Sequence, residues 1–251
     1  MSAAADGPEP GPSDWRLARV TDRIQETPRA ATLRLEAEGW RGHLAGQRVD
    51  VRLTAEDGYQ ATRSYSIASA PADGTLDLTV EEIDDGEVSP YLVEEAMPGD
   101  ELEIRGPIGG WFTWRPSDPG PLVLIGGGSG LVPLRSMARE AVVRESATPL
   151  RLLISTRSAG DLLYAQEIAT LADRDEARVI HTLTRRAPEG WTGPTGRIDP
   201  GLVGELLAGI ELPGAAFVCG PTGFVERAAD LLLAAGLPPD AIRTERFGPS
   251  A

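Results

Sequence analysis

Residues 122–137, LVLIGGGSGLVPLRSM, run an apolar segment through five glycines and serines into a helix-like segment. A phosphate site needs this order. Glycines let the backbone approach a pyrophosphate, and the helix that follows supplies free N–H donors and the positive end of its dipole. Pro133 suits the first helical turn, where its missing N–H costs nothing. The loop misses the G-x-G-x-x-G pattern because its third glycine would fall at Leu131. Taken alone it is equally a tight turn between strand and helix. A site of NAD type places an acidic residue about 20 positions further on. Here the next apolar run, RLLIST, leads into Arg157, and the third, in HTLTRRAPEGWTGPTGRI, is followed by Arg185, Arg186 and Arg197. A planar cationic fork suits a 2′-phosphate. Single loop arginines are usually just solvated, but their recurrence at the ends of neighbouring strands falls where ligands bind. A third stretch, ATRSYSIASAP, sets Arg63 and Tyr65 on one face of a strand and Ser66 on the other. By itself it reads as a strand with a core tyrosine.

Composition removes other chemistries. Cys219 is the one cysteine, which excludes internal disulfides and any all-cysteine iron–sulfur or zinc site built by this chain. With His43 and His181 as the two histidines, a metal centre is not expected. All 24 basic residues are arginine, so Schiff-base and P-loop lysines are excluded. A net charge of −14 argues against nucleic acid as a partner. No apolar run approaches the roughly 20 residues of a membrane span. No secretory signal is read in the N-terminal stretch, and the expected location is cytoplasmic.

The elements that must position these residues fall into two halves. Residues 1–13 are small, polar and rich in Pro and Gly, and are expected to be a disordered tail. In 14–116 the runs WRLARVTD, ATLRLEAE, QRVDVRLT, SYSIAS, TLDLTVEE and DELEIRG alternate apolar and polar residues between turn signals. They predict a closed or nearly closed antiparallel β-barrel, interrupted by a helix over 89–97 (SPYLVEEAM). In 117–251 the strands LVLI, RLLIST, ARVIHTL, AAFVC and AIRTERF alternate with helical stretches near 131–145, 161–172, 199–208 and 222–236. This alternation predicts an α/β domain with a five-stranded parallel sheet and helices on both faces.

In order along the chain, RSYSIAS, DGEVSPYL, GPIGGWF, GGGSGLVPLRSM, VCGPTGFVE and the terminal ERF resemble the motifs of the ferredoxin–NADP reductase superfamily. GQRVDVRL is similar to the barrel strand after a Gly-Gln pair in its members, and the resemblance covers roughly residues 14–248. It implies an FAD-binding barrel followed by an NAD(P)-binding domain. On the flavin side it implies that Arg63 binds the FAD pyrophosphate, Tyr65 stacks on the isoalloxazine and Ser66 bonds near flavin N5. Gly86, Val88 and Ser89 would hold FAD phosphates through backbone N–H groups and the hydroxyl. On the other side, Gly128, Ser129 and Gly130 would cradle the NAD(P) pyrophosphate, and Cys219, Gly220 and Pro221 would lie beside the nicotinamide. Arg157, Arg185 and Arg197 fall where NADP-type members carry their 2′-phosphate arginines. Glu245 and Phe247 match a carboxylate-x-aromatic ending, the aromatic expected to cover the flavin.

The chain departs from the family in three places. Glu81 or Glu82 stands where relatives often carry a basic residue, GPSA follows Phe247, and this sequence lacks the cysteine-rich [2Fe–2S] domain of many oxygenase-linked relatives. The activity implied is hydride transfer from NADPH (NADH being the alternative) to FAD, with Ser66, Cys219, Glu245 and Phe247 at the reacting centre. Electrons would then pass to a separate iron–sulfur or haem protein such as a ferredoxin. Two rival readings are an NAD(P)H:flavin reductase that releases reduced flavin, and a non-catalytic nucleotide-binding flavoprotein subunit.

Overall fold

A computed structural model describes residues 14–146, 148–212 and 214–247; the tail expected over 1–13 and the GPSA ending lie outside these described residues. The first half forms six antiparallel strands: β1 (Trp15–Thr27), β2 (Ala30–Ala37), β3 (Arg48–Thr54), β4 (Gln60–Ser66), β5 (Leu76–Glu81) and β6 (Glu101–Ile108). Their order is β4-β3-β6-β1-β2-β5. An Ile67–Leu78 bridge joins the end of β4 to β5 and closes the sheet on itself. The curvature this brings puts alternate residues inside. Leu33 and Leu35, Val49 and Val51, Leu102 and Ile104 are these inward positions, all buried in one apolar cluster. β1 extends well past WRLARVTD, its register on β2 slipping between Val20 and Asp22 and between Gln25 and Thr27. Such bulges break the alternation on which the strand reading depends. The helix expected over 89–97 is present over residues 89–95, its last five, Tyr91–Glu95, winding as a π-helix whose Leu92 and Val93 plug the barrel.

The second half is a parallel sheet of β7 (Leu122–Gly127), β8 (Leu150–Ser158), β9 (Ala177–Arg186), β10 (Ala216–Pro221) and β11 (Ile242–Phe247). Helices α1 (Leu131–Val143), α2 (Ala165–Ala172), α3 (Pro200–Leu207) and α4 (Thr222–Ala234) connect them. Buried on both faces, β7 sends Leu122 and Leu124 toward α1 and α2 and Val123 and Ile125 toward α3 and α4. The order β11-β10-β7-β8-β9 reverses direction between β7 and β10. The crevice at the carboxyl ends of these two strands is where open α/β sheets bind ligands.

The two sheets share a core. Ala45, Ala68, Phe112 and Trp114 of the barrel half cluster with Leu134, Met137 and Ala138 of α1. Polar contacts fix the docking: Ser136 Oγ donates to the Ser69 carbonyl (2.6 Å), Tyr164 Oη to Thr79 Oγ1 (2.5 Å), and Arg139 pairs with Asp73 (2.6 Å). Each buried hydrogen bond of this kind contributes about 1 kcal/mol net. No helix among the described residues is long and apolar enough to cross a membrane.

Candidate active site

The glycine-rich loop turns through one 3₁₀ turn, Gly128–Gly130, and enters α1 directly. A Cβ on Gly130 would lie 2.1 Å from the Cys219 carbonyl oxygen, and one on Gly127 would lie 2.8 Å from the Phe224 ring. Gly128 adopts a φ of +56°, which side chains disfavour. The loop therefore lies flush on the end of β10, and any substituent would lift it off. Glu81 points its carboxylate toward the same loop, 3.9 Å from where a Gly128 Cβ would sit.

Strand register brings the expected nicotinamide residues together. Cys219 pairs with Gly126 on one side and Glu245 on the other, and Pro221 pairs with Phe247. Cys219 is buried, and burial, reinforced by the neighbouring Glu245, pushes its thiol well above its usual range. Such an environment favours the protonated thiol over the nucleophilic thiolate. Burial also raises the Glu245 carboxyl, opposed by Arg48, whose Nη1 donates to Oε1 at 3.3 Å. The other oxygen, Oε2, is buried without a partner. Arg48 in turn lies directly opposite Ser66 in the β3–β4 ladder, so their side chains leave on one face. Phe247 is half-buried and packs on the cluster shared by the two halves.

On the flavin side, Arg63 is not free. Its guanidinium pairs with Glu87 Oε2 at 2.6 Å and donates to the Thr62 carbonyl at 2.8 Å. Tyr59 donates its hydroxyl to Glu87 Oε1 at 2.6 Å, and that bond followed by Arg63 holds the Glu87 carboxyl below its usual range. Tyr65 packs partly on the barrel core, and burial pushes its phenol up. A Cβ on Gly86 would meet Ser89 Oγ at 2.8 Å and the Ile83 carbonyl at 2.9 Å. The Gly86 N–H donates to that Ile83 carbonyl at 3.0 Å, Val88 is buried in the barrel, and Ser89 Oγ accepts from the Ile83 N–H at 3.1 Å.

At the outer edge, Arg157, Arg185, Arg186 and Arg197 are all exposed. Arg186 pairs with Ser158 across β8–β9. Arg197 is held beside β9 because Gly196 N–H donates to the Leu183 carbonyl and Thr182 Oγ1 to the Gly196 carbonyl, each at 2.8 Å. The nearby Asp161 is occupied by the Ser158 N–H and hydroxyl, at 2.8 and 2.7 Å. Among the described residues none of these four arginines has a carboxylate partner, although the chain carries 38 acidic side chains. Sequence reasoning missed Arg48, Glu87 and Phe224. Only a pairing across 197 positions reveals Arg48, and no local pattern announces it. Among the described residues no group of three or more His, Cys, Asp or Glu could hold a metal.

Residues 18–113 match the oxidoreductase FAD-binding domain family, and residues 124–230 the oxidoreductase NAD-binding domain family. Ferredoxin–NADP reductase B of Sorangium cellulosum is 35% identical over 211 residues, which cover 81% of this chain and 84% of the relative. The chain belongs to the ferredoxin–NADP reductase superfamily and is an oxidoreductase that uses FAD and NAD(P)H. A second relative is the reductase component of the naphthalene 1,2-dioxygenase/salicylate 5-hydroxylase systems of Ralstonia sp. It is 31% identical over 209 residues, 82% of this chain but only 60% of that protein's length. Among solved structures, the cytochrome P450 reductase of Amycolatopsis superposes with a TM-score of 0.81 at 27% identity, covering 94% of this chain and 70% of that one.

Proposed function

We propose that this protein is a cytoplasmic reductase that draws electrons from NADPH in preference to NADH and delivers them to a separate electron-transfer protein such as a ferredoxin. The observation that carries the NADPH preference is the edge formed by Arg157, Arg185, Arg186 and Arg197, four exposed cations without a carboxylate partner among the described residues, in a chain of net charge −14. An unpaired guanidinium keeps its full bidentate capacity for a phosphate.

The chain's residues fit both cofactors. Gly127 and Gly130 press the glycine-rich loop flush on its neighbours, the space in front of Gly128 holds only Glu81 Oε2 within 4 Å, and buried Glu245 Oε2 lacks a donor. Arg63, Gly86, Val88 and Ser89 would hold the FAD phosphates, and Tyr65 and Ser66 its ring system. Gly128, Ser129 and Gly130, with the N-terminus of α1, would hold the NADPH pyrophosphate. Bound FAD supplies two-electron acceptance from the nicotinamide and release in single-electron steps. The protein's part is orientation. Cys219, Gly220 and Pro221 give the nicotinamide a flat floor, Glu245 offers it an acceptor, and Phe247 screens the site from water. The name of the Ralstonia relative, a reductase component for ferredoxin, supports a separate acceptor. An acidic ferredoxin would have to dock on a local arginine patch, given the overall charge.

Steady-state reduction of ferricyanide tests this reading. NADPH should show a kcat/KM at least about tenfold above NADH, the worth of one charge-assisted hydrogen bond. A chain that stays inactive with both nucleotides after FAD is added would overturn it. The Arg63–Glu87 pair favours a second reading, a flavin reductase that releases its flavin, because Glu87 competes with the FAD phosphates for Arg63. A protein purified with stoichiometric FAD would exclude that alternative.

A further inference from the structure

Arg48 links the two halves of the reacting centre. It stands on β3 opposite Ser66, and its Nη1 reaches across to Glu245 Oε1 on β11. Its guanidinium is confined beside Gly109, where a Cβ would already lie 3.6 Å from Nη1, and Gln47 Nε2 pins that loop by donating to the Gly109 carbonyl at 2.7 Å. The carboxylate is thereby split: one oxygen is taken by the barrel, and the other is buried with no donor.

We propose that Arg48 is a positioning residue that fixes Glu245 as an oriented carboxylate, so that Oε2 is presented to a primary carboxamide N–H of the nicotinamide. A protonated or rotated Glu245 would present an O–H donor, or Oε1, and lose that acceptor. The inference rests on the nicotinamide-site reading above. Among the described residues no other cation pairs with Glu245. Arg243, two residues back on β11, is turned to the Thr113 carbonyl at 2.9 Å, and the residue facing Glu245 from β10 is Cys219, whose thiol burial pushes up. Burial alone favours the neutral acid, and Arg48 opposes it.

The test is an infrared pH titration of the full chain with FAD added, following the carboxylic C=O band that disappears in Glu245→Gln. Removing the cation in Arg48→Met should move the midpoint of that band up by about 1–3 pH units, the usual effect of an opposite charge within reach. Arg48→Lys should restore most of the shift. In parallel, calorimetric binding of NADP⁺ at pH 8 should weaken at least about fivefold in Arg48→Met and recover in Arg48→Lys, while FAD affinity stays the same; one lost hydrogen bond to a charge is worth that much. An unmoved band in Arg48→Met, or a lysine variant no better than methionine in both assays, would overturn the proposal. A band that moves in a protein that reduces no acceptor would instead leave Arg48's role standing and remove the reductase reading.

Discussion

Arg63 and Arg185 are the same residue type, each at the rim of its own sheet and each aimed at a phosphate by our reading, yet they are in opposite states. Arg63 is held by Glu87, which Tyr59 in turn holds in place. Arg185 and its neighbours at 157, 186 and 197 meet no carboxylate among the described residues. Exposed ion pairs are weak, so Glu87 can be displaced by a diphosphate, but it must first be displaced. The edge at β8–β9 carries no such tax. The barrel side therefore admits its anion by exchange, and the α/β side by simple capture. The Arg48–Glu245 pair is a third case, half-buried and spanning the two halves.

The largest expected effect comes from erasing the unpaired edge. Replacing Arg157, Arg185 and Arg197 together with alanine should reduce NADPH kcat/KM by about 100-fold or more while changing NADH by less than about threefold, since each guanidinium–phosphate contact is worth roughly 1.5–3 kcal/mol. Equal losses with both nucleotides would mean that the edge does not read the 2′-phosphate. A smaller effect should come from freeing the paired arginine. Glu87→Gln should tighten FAD binding several-fold, on the order of what an exposed pair contributes, and flavin fluorescence quenching would show it. Weaker binding would contradict competition at Arg63.

The smallest expected effect is on stability. The folded-state pKa of Glu245 is raised above its ordinary 4.5, so the stability gained by the neutral form is complete below about pH 4.5 and is lost as pH rises through the folded value. Once ionised, the wild type carries the penalty of a buried charge, whereas Glu245→Gln does not and can still accept from Arg48. Its Tm should exceed the wild type by a few °C at pH 7, and the two should converge near pH 4. A lower Tm at pH 7 would show that Arg48 more than repays the burial.

Much of this arrangement could be read directly from the sequence, for reasons that are local. The parallel strands are short apolar runs, the helices between them have apolar periodicity, with Asp199 capping α3, and GGGSG is contiguous. The order of the motifs pointed to the superfamily. What escaped detection has no local signature. Arg48 lies within QRVDVRL and looks like any outward strand residue until β11 is folded against it. Glu87 lies within DGEVSPYL, between two residues expected to touch phosphate, and its tie to Arg63 spans 24 positions. Phe224 backs both Gly127 and Gly220, which explains two glycines that phosphate contact alone would not require. The helix over residues 89–95 was legible from its Ser-Pro start, whereas the π-type winding of Tyr91–Glu95 has no signature in the sequence.

The central claim is that the β8–β9 edge is a site for a 2′-phosphate, and it can be measured without catalysis. Calorimetric titration with 2′,5′-ADP and with 5′-AMP isolates that one phosphate. The account predicts that 2′,5′-ADP binds at least about tenfold more tightly, the worth of one charge-assisted contact, and that Arg185→Ala closes most of the gap. Equal affinity for the two nucleotides, or a gap that Arg185→Ala leaves intact, would contradict it.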